Sequence, residues 1–211
     1  MIGALERAEI VRAGAHLAAR GLAPGTSGNI SLKLGVGVLL TPTNASLWAL
    51  DPARLSLLNE RGELLDGDQP TKEAALHLAM YRARPTARAI VHLHAPYSVA
   101  LACLCHDDER DVLPKLTPYA VMRVGALPLV PYAPPGHPAL AEAVSRHAAD
   151  HPAVLLANHG PVIAGTSLAS AVATSEELEE VARLSFLLHG RAVRFLEQTQ
   201  IDTLTATYRI V

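Results

Sequence analysis

Three histidines and one glutamate carry the spacing of a metal centre that does chemistry: Glu73 in Thr71-Lys72-Glu73, His92 and His94 in Val91-His92-Leu93-His94, and His159 in Asn158-His159-Gly160. In an extended strand the side chains alternate with a period of two, so His-x-His presents both imidazoles on one face, where a single cation bridges them. Neutral imidazoles suit a borderline divalent ion such as zinc. Three protein ligands leave a position open for substrate, which separates a catalytic site from a closed structural one. Taken alone, a His-x-His flanked by Ile90, Val91 and Leu93 is more often a pair of satisfied core histidines than a ligand pair. Here, however, the apolar run 89–91 leads into the pair and the run 153–157 leads into His159. Ligand sites of open α/β sheets collect at strand ends, so two buried strands that finish in histidines favour the metal reading.

Glu73 lies three residues after Pro70 in the first turn of an expected helix over 72–83, with Thr71 as N-cap. A carboxylate there often does no more than complement the helix dipole. Beside a dication it has another use, coordinating the metal when no substrate is present and moving a proton once substrate takes the open position. His77, one helical turn on, is placed to orient that carboxylate or simply to pack. The loop Pro24-Gly25-Thr26-Ser27-Gly28-Asn29 offers backbone N–H groups, hydroxyls and an amide, as an anion nest requires, yet it lacks the lysine and spacing of a P-loop. Thr43-Asn44 and Thr71-Lys72 add further donors and one ammonium. Thr26, Gly28, Asn29, Thr43, Asn44, Thr71 and Lys72 are therefore the candidate phosphate pocket.

These residues need a scaffold, and the pattern supplies one. Helical spacing over 5–20 ends at Gly21; strands are expected over 30–34 and 36–40, and a hairpin turn over 59–62. After the helix carrying Glu73 come the His-x-His strand, a helix over 98–104, a short strand over 127–130 and a helix over 138–147. A strand over 153–157 is expected to pair with 162–164 across Gly160-Pro161. A long helix over 168–188 follows, with Glu176, Glu177, Glu179 and Glu180 assigned to its wet side. Hairpin signals outnumber βαβ alternation, so the chain reads as one α/β layered domain over 1–211 with a mainly antiparallel sheet.

Composition narrows the function. At 211 residues the chain is long enough for a sizeable core. Half of its residues are hydrophobic and only 18% are charged, a balance that suits a surface partly covered by other subunits. Eighteen basic against 20 acidic residues leave a net charge of −2 and no basic stripe for nucleic acid. No apolar run reaches the roughly 20 residues of a membrane span. The N-terminal residues mix charges in a helical pattern unlike a signal peptide. Cys103 and Cys105 are too close in sequence for an unstrained disulfide; they are expected to be buried reduced thiols, which suits a cytoplasmic protein.

Taken together, Gly25-Thr26-Ser27-Gly28-Asn29-Ile30-Ser31, Thr41-Pro42-Thr43-Asn44, Glu73 with His77, His92-Leu93-His94 and Asn158-His159-Gly160 resemble, in order and spacing, the class II aldolase/adducin family of L-fuculose-phosphate aldolase. The resemblance implies a single-domain three-layer α/β/α fold and a homotetramer with active sites at subunit interfaces. It implies one Zn2+ per subunit, replaceable by Co2+ or Mn2+, on His92, His94 and His159. Glu73 is then the acid/base that also touches the metal, and Gly28, Asn29, Thr43 and Asn44 hold phosphate. Where the aldolase has Thr-Pro-Ser-Gly and Ser-Ser-Glu, this chain has Thr41-Pro42-Thr43-Asn44 and Thr71-Lys72-Glu73. Together with Leu116-Thr117-Pro118-Tyr119 and Val121-Met122-Arg123-Val124-Gly125, those replacements look most like the 3-oxo-tetronate 4-phosphate decarboxylase branch. The ammonium of Lys72 suits a substrate bearing both carboxylate and phosphate. The implied reaction is carbon–carbon cleavage of a phosphorylated sugar acid or ketose through an enediolate. It releases CO2 in the decarboxylase branch and an aldehyde in a retro-aldol enzyme, while an adducin-like binding module would run neither. Tyr119, or Tyr208 near the C-terminus, is the implied proton donor, reaching in from a neighbouring subunit.

Overall fold

The computed structural model describes residues 2–208. Its strands are β1 (Asn29–Leu34), β2 (Gly37–Leu40), β3 (Ser56–Leu58), β4 (Leu64–Asp66), β5 (Ala89–His92), β6 (Leu129–Val130), β7 (Ala153–Leu156) and β8 (Gly160–Gly165). They form one eight-stranded sheet in the order β4-β3-β2-β1-β5-β8-β7-β6. All neighbours are antiparallel except β6 and β7.

Strand alternation sorts the core into two layers. Ile30, Leu32, Ala89, Val91, Ala153, Leu155 and Ile163 point to one face. They pack there with Ile10 and Leu17 of α1 (Ala4–Ala19), Leu101 of α3 (Pro96–Ala102), and Leu178 and Val181 of α5 (Leu168–Leu187). Ile90, Val154, Leu156 and Val162 point to the other, against Leu76 and Met80 of α2 (Ala74–Ala83) and Leu140 and Val144 of α4 (Pro138–Ala148). A sheet covered on both faces gives the expected three-layer α/β/α arrangement of the class II aldolase fold. Each fully buried Leu, Ile or Val in these layers stabilises it by about 1.5–3 kcal/mol. Among the described residues, no helix is long and apolar enough to cross a membrane.

Several local expectations are corrected. Glu73, not Thr71, occupies the N-cap position of α2. The β7–β8 turn falls at 157–159, because Leu156 already pairs with Gly160; Asn158 takes the left-handed conformation (φ 57°) and Gly160-Pro161 lie inside β8. Glu179 is buried rather than wet, its carboxylate accepting from the Tyr97 and Ser98 backbone N–H groups at 2.8 Å each and from the Ser98 hydroxyl at 2.6 Å. Those groups open α3, whose unpaired N–H groups and positive dipole end favour an anion. Cys103 and Cys105 are free and exposed, since α3 ends at Ala102 and the chain beyond it turns to solvent. Helix α6 (Gln198–Thr207) was not foreseen, and Tyr208 stands at its C-cap.

Candidate metal centre

Topology brings the four residues together. Because β1 and β5 run antiparallel with Asn29 opposite His92, the start of β1 and the end of β5 share one end of the sheet. Antiparallel pairing of β5 with β8, and of β8 with β7, puts the β7–β8 turn with His159 at that same end. The N-terminus of α2 supplies Glu73. Two close approaches hold this edge tight. A Cβ on Gly160 would lie 2.3 Å from the Leu93 carbonyl oxygen, and one on Gly28 would lie 2.9 Å from that of His92. Both glycines have positive φ, so a side chain at either is excluded sterically and conformationally.

One ligand atom from each of Glu73, His92, His94 and His159 lies within 4.8 Å of all the others. The three imidazole Nε2 atoms are 3.1, 3.2 and 3.3 Å apart. The Glu73 carboxylate oxygens stand 3.3 Å from His92 Nε2 and 3.4 Å from His159 Nε2. A tetrahedral ion with Zn–N bonds of about 2.05 Å would hold its nitrogens about 3.3 Å apart, so the donor set fits a divalent cation. His92 belongs to β5, whereas His94 lies just past its end.

Hydrogen bonding agrees with that fit. The Pro161 carbonyl only accepts, so His92 Nδ1 donates to it at 2.8 Å and its Nε2 lone pair faces the cluster. Glu73 Oε1 and His159 Nδ1 are buried and have no hydrogen-bond partner. Glu73 forms no side-chain cap on its own helix, which removes the reading of it as a mere dipole partner. Burial by itself would raise the Glu73 carboxyl. The His92 charge and hydrogen bond, the Asn29 amide and His159 outweigh that and hold it well below the usual carboxylate range. Burial, followed by the charges of His92 and His159, lowers His94 to about 4; burial and His92 lower His159 to about 4. Both imidazoles are therefore neutral near pH 7, ready to donate lone pairs.

The candidate phosphate residues divide. Loops 41–44 and 69–73 are joined by the Pro42–Pro70 bridge and by Thr43 N to Gln69 O (2.9 Å) and Thr71 N to Thr41 O (3.2 Å). Asn29 joins them through Nδ2, which reaches Thr71 Oγ1 at 3.3 Å, but its other Nδ2 contact is Glu73 Oε2 at 2.9 Å. Asn29 is thus built into the support of the carboxylate. Lys72 and Asn44 are exposed at this rim, with Thr43 half-buried between them. Thr26 is exposed on a turn that Ser27 closes onto the Pro24 carbonyl through both its N–H and its hydroxyl. Tyr119 is exposed beside Arg123, in a groove with Arg20 and with Glu176 and Glu180 of α5.

Sequence reasoning missed several supporting groups. The His77 ring makes no hydrogen bond to the Glu73 carboxylate; its Nε2 meets Asn29 Oδ1 at 2.5 Å, and Asn29 in turn holds Glu73. Ser31, Tyr81 and the Pro161 carbonyl also went unnoticed. A period of four from Glu73 through His77 to Tyr81, and a period of two from Asn29 to Ser31, were the available signals.

Known proteins resemble this chain in sequence and fold. The family model described as Class II Aldolase and Adducin N-terminal domain matches residues 8–186. A 3-oxo-tetronate 4-phosphate decarboxylase of Escherichia coli (strain K12) is 48% identical over 199 residues, 94% of either chain. Among solved structures, YgbL of Escherichia coli superposes with a TM-score of 0.94 at 45% identity, over 97% of this chain and 99% of the other. An L-fuculose 1-phosphate aldolase superposes with a TM-score of 0.87 at 25% identity, over 96% and 95%. With the family model spanning most of the sequence and the histidine–glutamate cluster assembled at the expected edge of the sheet, the chain belongs to the class II aldolase and adducin family.

Proposed function

We propose that this protein is a zinc-dependent carboxy-lyase that converts 3-oxo-tetronate 4-phosphate to dihydroxyacetone phosphate and CO2. The observation that carries the reading is the convergence of three imidazole Nε2 atoms and the Glu73 carboxylate on one point, at the end of the sheet nearest the candidate phosphate loops. The decarboxylase relatives, 48% identical over nearly the full length, supply the substrate class.

A divalent cation on His92, His94, His159 and Glu73 supplies a Lewis acid for the negative charge that builds on the substrate oxygens as the C1–C2 bond breaks. The chain's own groups do the rest. Thr43, Asn44 and Thr71, with Thr26 and Gly28 of the glycine loop, take the phosphate. Lys72, exposed at the same rim, pairs with the substrate carboxylate and favours a phosphorylated sugar acid over a ketose phosphate that lacks one. The electron pair left at C2 is quenched by a proton, which yields the hydroxymethyl ketone. Glu73, held as a carboxylate, takes and returns the substrate hydroxyl proton. Tyr119, exposed on its own chain, is the proposed proton donor, reaching the cluster of a neighbouring subunit in a homotetramer. Exposed Trp48, Tyr132 and Phe195 offer apolar area for such contacts. The protein is placed in the cytoplasm.

A second reading, retro-aldol cleavage of a ketose 1-phosphate, is favoured by the likeness to L-fuculose 1-phosphate aldolase over nearly the whole chain. The two reactions pass through the same kind of electron-rich carbon, so the metal centre serves either. A non-catalytic binding module has no use for the intact ligand set. Incubating the purified protein with 3-oxo-tetronate 4-phosphate and, separately, with fuculose 1-phosphate decides the matter. CO2 from the first and no aldehyde from the second is the expected result; aldehyde release alone would establish the aldolase.

A further inference from the structure

Glu73, His77 and Tyr81 recur every four residues, so they form one stripe along the start and length of α2. Asn29 and Ser31 are two apart on β1 and share one face of it. The fold joins the two stripes into a single chain of hydrogen bonds. Asn29 Nδ2 donates to Glu73 Oε2 at 2.9 Å; His77 Nε2 meets Asn29 Oδ1 at 2.5 Å; His77 Nδ1 meets Ser31 Oγ at 2.7 Å; Ser31 Oγ meets the Tyr81 hydroxyl at 2.9 Å. Ser31 and His77 are fully buried, and Asn29, Tyr81 and Glu73 are nearly so.

Every link in that chain has only one polarity. A carboxylate accepts, so the Asn29 amide must turn its NH2 to Glu73 and its oxygen to His77. An amide oxygen also accepts, so the hydrogen of the His77 ring sits on Nε2. The neutral ring then offers Nδ1 as an acceptor, which the Ser31 hydroxyl fills, and the Ser31 oxygen takes the Tyr81 O–H. Reversing any member would set two acceptors or two donors face to face in a buried site, at a large cost.

This chain competes with a local alternative. Glu73 stands at the N-cap of α2, where the ordinary partners of a carboxylate are the N–H groups of its own first turn. It makes none of those bonds. One oxygen is held by Asn29, and the other, Oε1, is buried without a hydrogen-bond partner, 3.4 Å from His159 Nε2.

We propose that His77, backed by Ser31 and Tyr81, is a positioning residue that locks the Asn29 amide in one orientation and thereby keeps the Glu73 carboxylate turned onto the metal point instead of onto its own helix end. The inference rests on the metal reading of the cluster and on no particular substrate. The His77 ring makes no hydrogen bond to the histidine nitrogens or to the Glu73 carboxylate; it acts through Asn29.

The test uses the full chain loaded with cobalt(II), whose visible absorption reports coordination geometry, and chelator competition, which reports affinity. His77→Leu keeps the volume and removes both polar links. His77→Gln restores an N–H at the reach of Nε2. Removing an outer partner of a metal ligand commonly weakens metal binding by about 10–100-fold. His77→Leu is expected to weaken cobalt binding about tenfold or more and to change the cobalt spectrum, His77→Gln to recover most of both, and His77→Leu placed in a Glu73→Ala background to add nothing. An equal loss in both backgrounds, or an unchanged affinity and spectrum in His77→Leu alone, overturns the proposal. Ser31→Ala, a smaller perturbation, gives the same comparison with a weaker effect should His77→Leu fail to fold. Wild-type protein that takes up no cobalt sinks the metal reading and this inference together; wild-type protein that binds it while His77→Leu matches it sinks the inference only.

Discussion

Asn29 and His92 stand opposite one another in the β1–β5 ladder, so the residue that grips the Glu73 carboxylate and a residue that shares that carboxylate are set by one backbone register. A slip of one position would send both side chains to the opposite face. The register is in turn secured by buried apolar neighbours on both sides, Ile30 and Val91. Packing in the centre of the sheet therefore fixes geometry at its end.

His94→Ala is expected to remove a ligand without disturbing the strand, since His94 lies beyond the end of β5. Metal content measured by atomic emission should fall to background, and CO2 release with it. Full turnover by metal-free variant protein would contradict the assignment.

Lys72→Ser should raise KM for carboxylated substrate and leave kcat nearly unaltered. Lys72 is exposed, which tempers the attraction, so about three- to fivefold in kcat/KM is expected, equivalent to ~1 kcal/mol or less. Steady-state kinetics on the sugar acid, with product inhibition by dihydroxyacetone phosphate, which keeps the phosphate and lacks the carboxylate, measure it; equal weakening of both would assign Lys72 to phosphate.

Metal-free protein should lose stability as pH falls from about 6.5 towards 4. His94 and His159 are lowered to about 4 and His77 to about 3, in each case by burial first, so between those values and 6.5 the unfolded chain binds more protons than the folded one. Glu73, held low, adds a loss of the same sign as pH drops below its unfolded value of 4.5. Urea midpoints at pH 7.5, 6.5, 5.5 and 4.5 should fall slightly between the first two and more steeply after that; a midpoint that holds steady to pH 4.5 would contradict this.

Glu179→Ala should cost about 3 kcal/mol of folding stability, because two backbone N–H groups and the Ser98 hydroxyl lose their acceptor at the start of α3. Urea denaturation at pH 7.5 reads the change. Metal affinity should hold steady, since Glu179 touches none of the four ligands; a matched loss of both would show α3 to be part of the site.

The ligand set was legible because its chemistry is written in residue type. His92-Leu93-His94 and His159 follow apolar runs, and period-two alternation predicts their faces. A layered α/β domain with a mainly antiparallel sheet was legible from hairpin signals and apolar strands, while its three-layer α/β/α form came from the family resemblance. What failed was whatever depends on partners distant in sequence. Glu179 reads as one more acid in a polar helix, and only the three-dimensional approach of α3 shows why it is inside. His77 was placed one turn from Glu73 along the helix, but its partner came from a strand 48 residues away. The β7–β8 turn was set three residues late because Gly160-Pro161 resembles a turn pair, whereas the glycine serves a close approach to Leu93. Cys103 and Cys105 were assigned to the interior from the apolar run before them, which stops one residue earlier.

The β7–β8 hairpin contributes twice to the centre, with His159 at its tip and with the Pro161 carbonyl that sets the hydrogen of His92. Surface turns of enzymes ordinarily absorb insertions and sequence drift. This one cannot, because lengthening it by a single residue would misplace a ligand and unfix the tautomer of another at once. Diversification of the protein must then proceed at the open rim around Asn44 and Lys72, which carries neither duty.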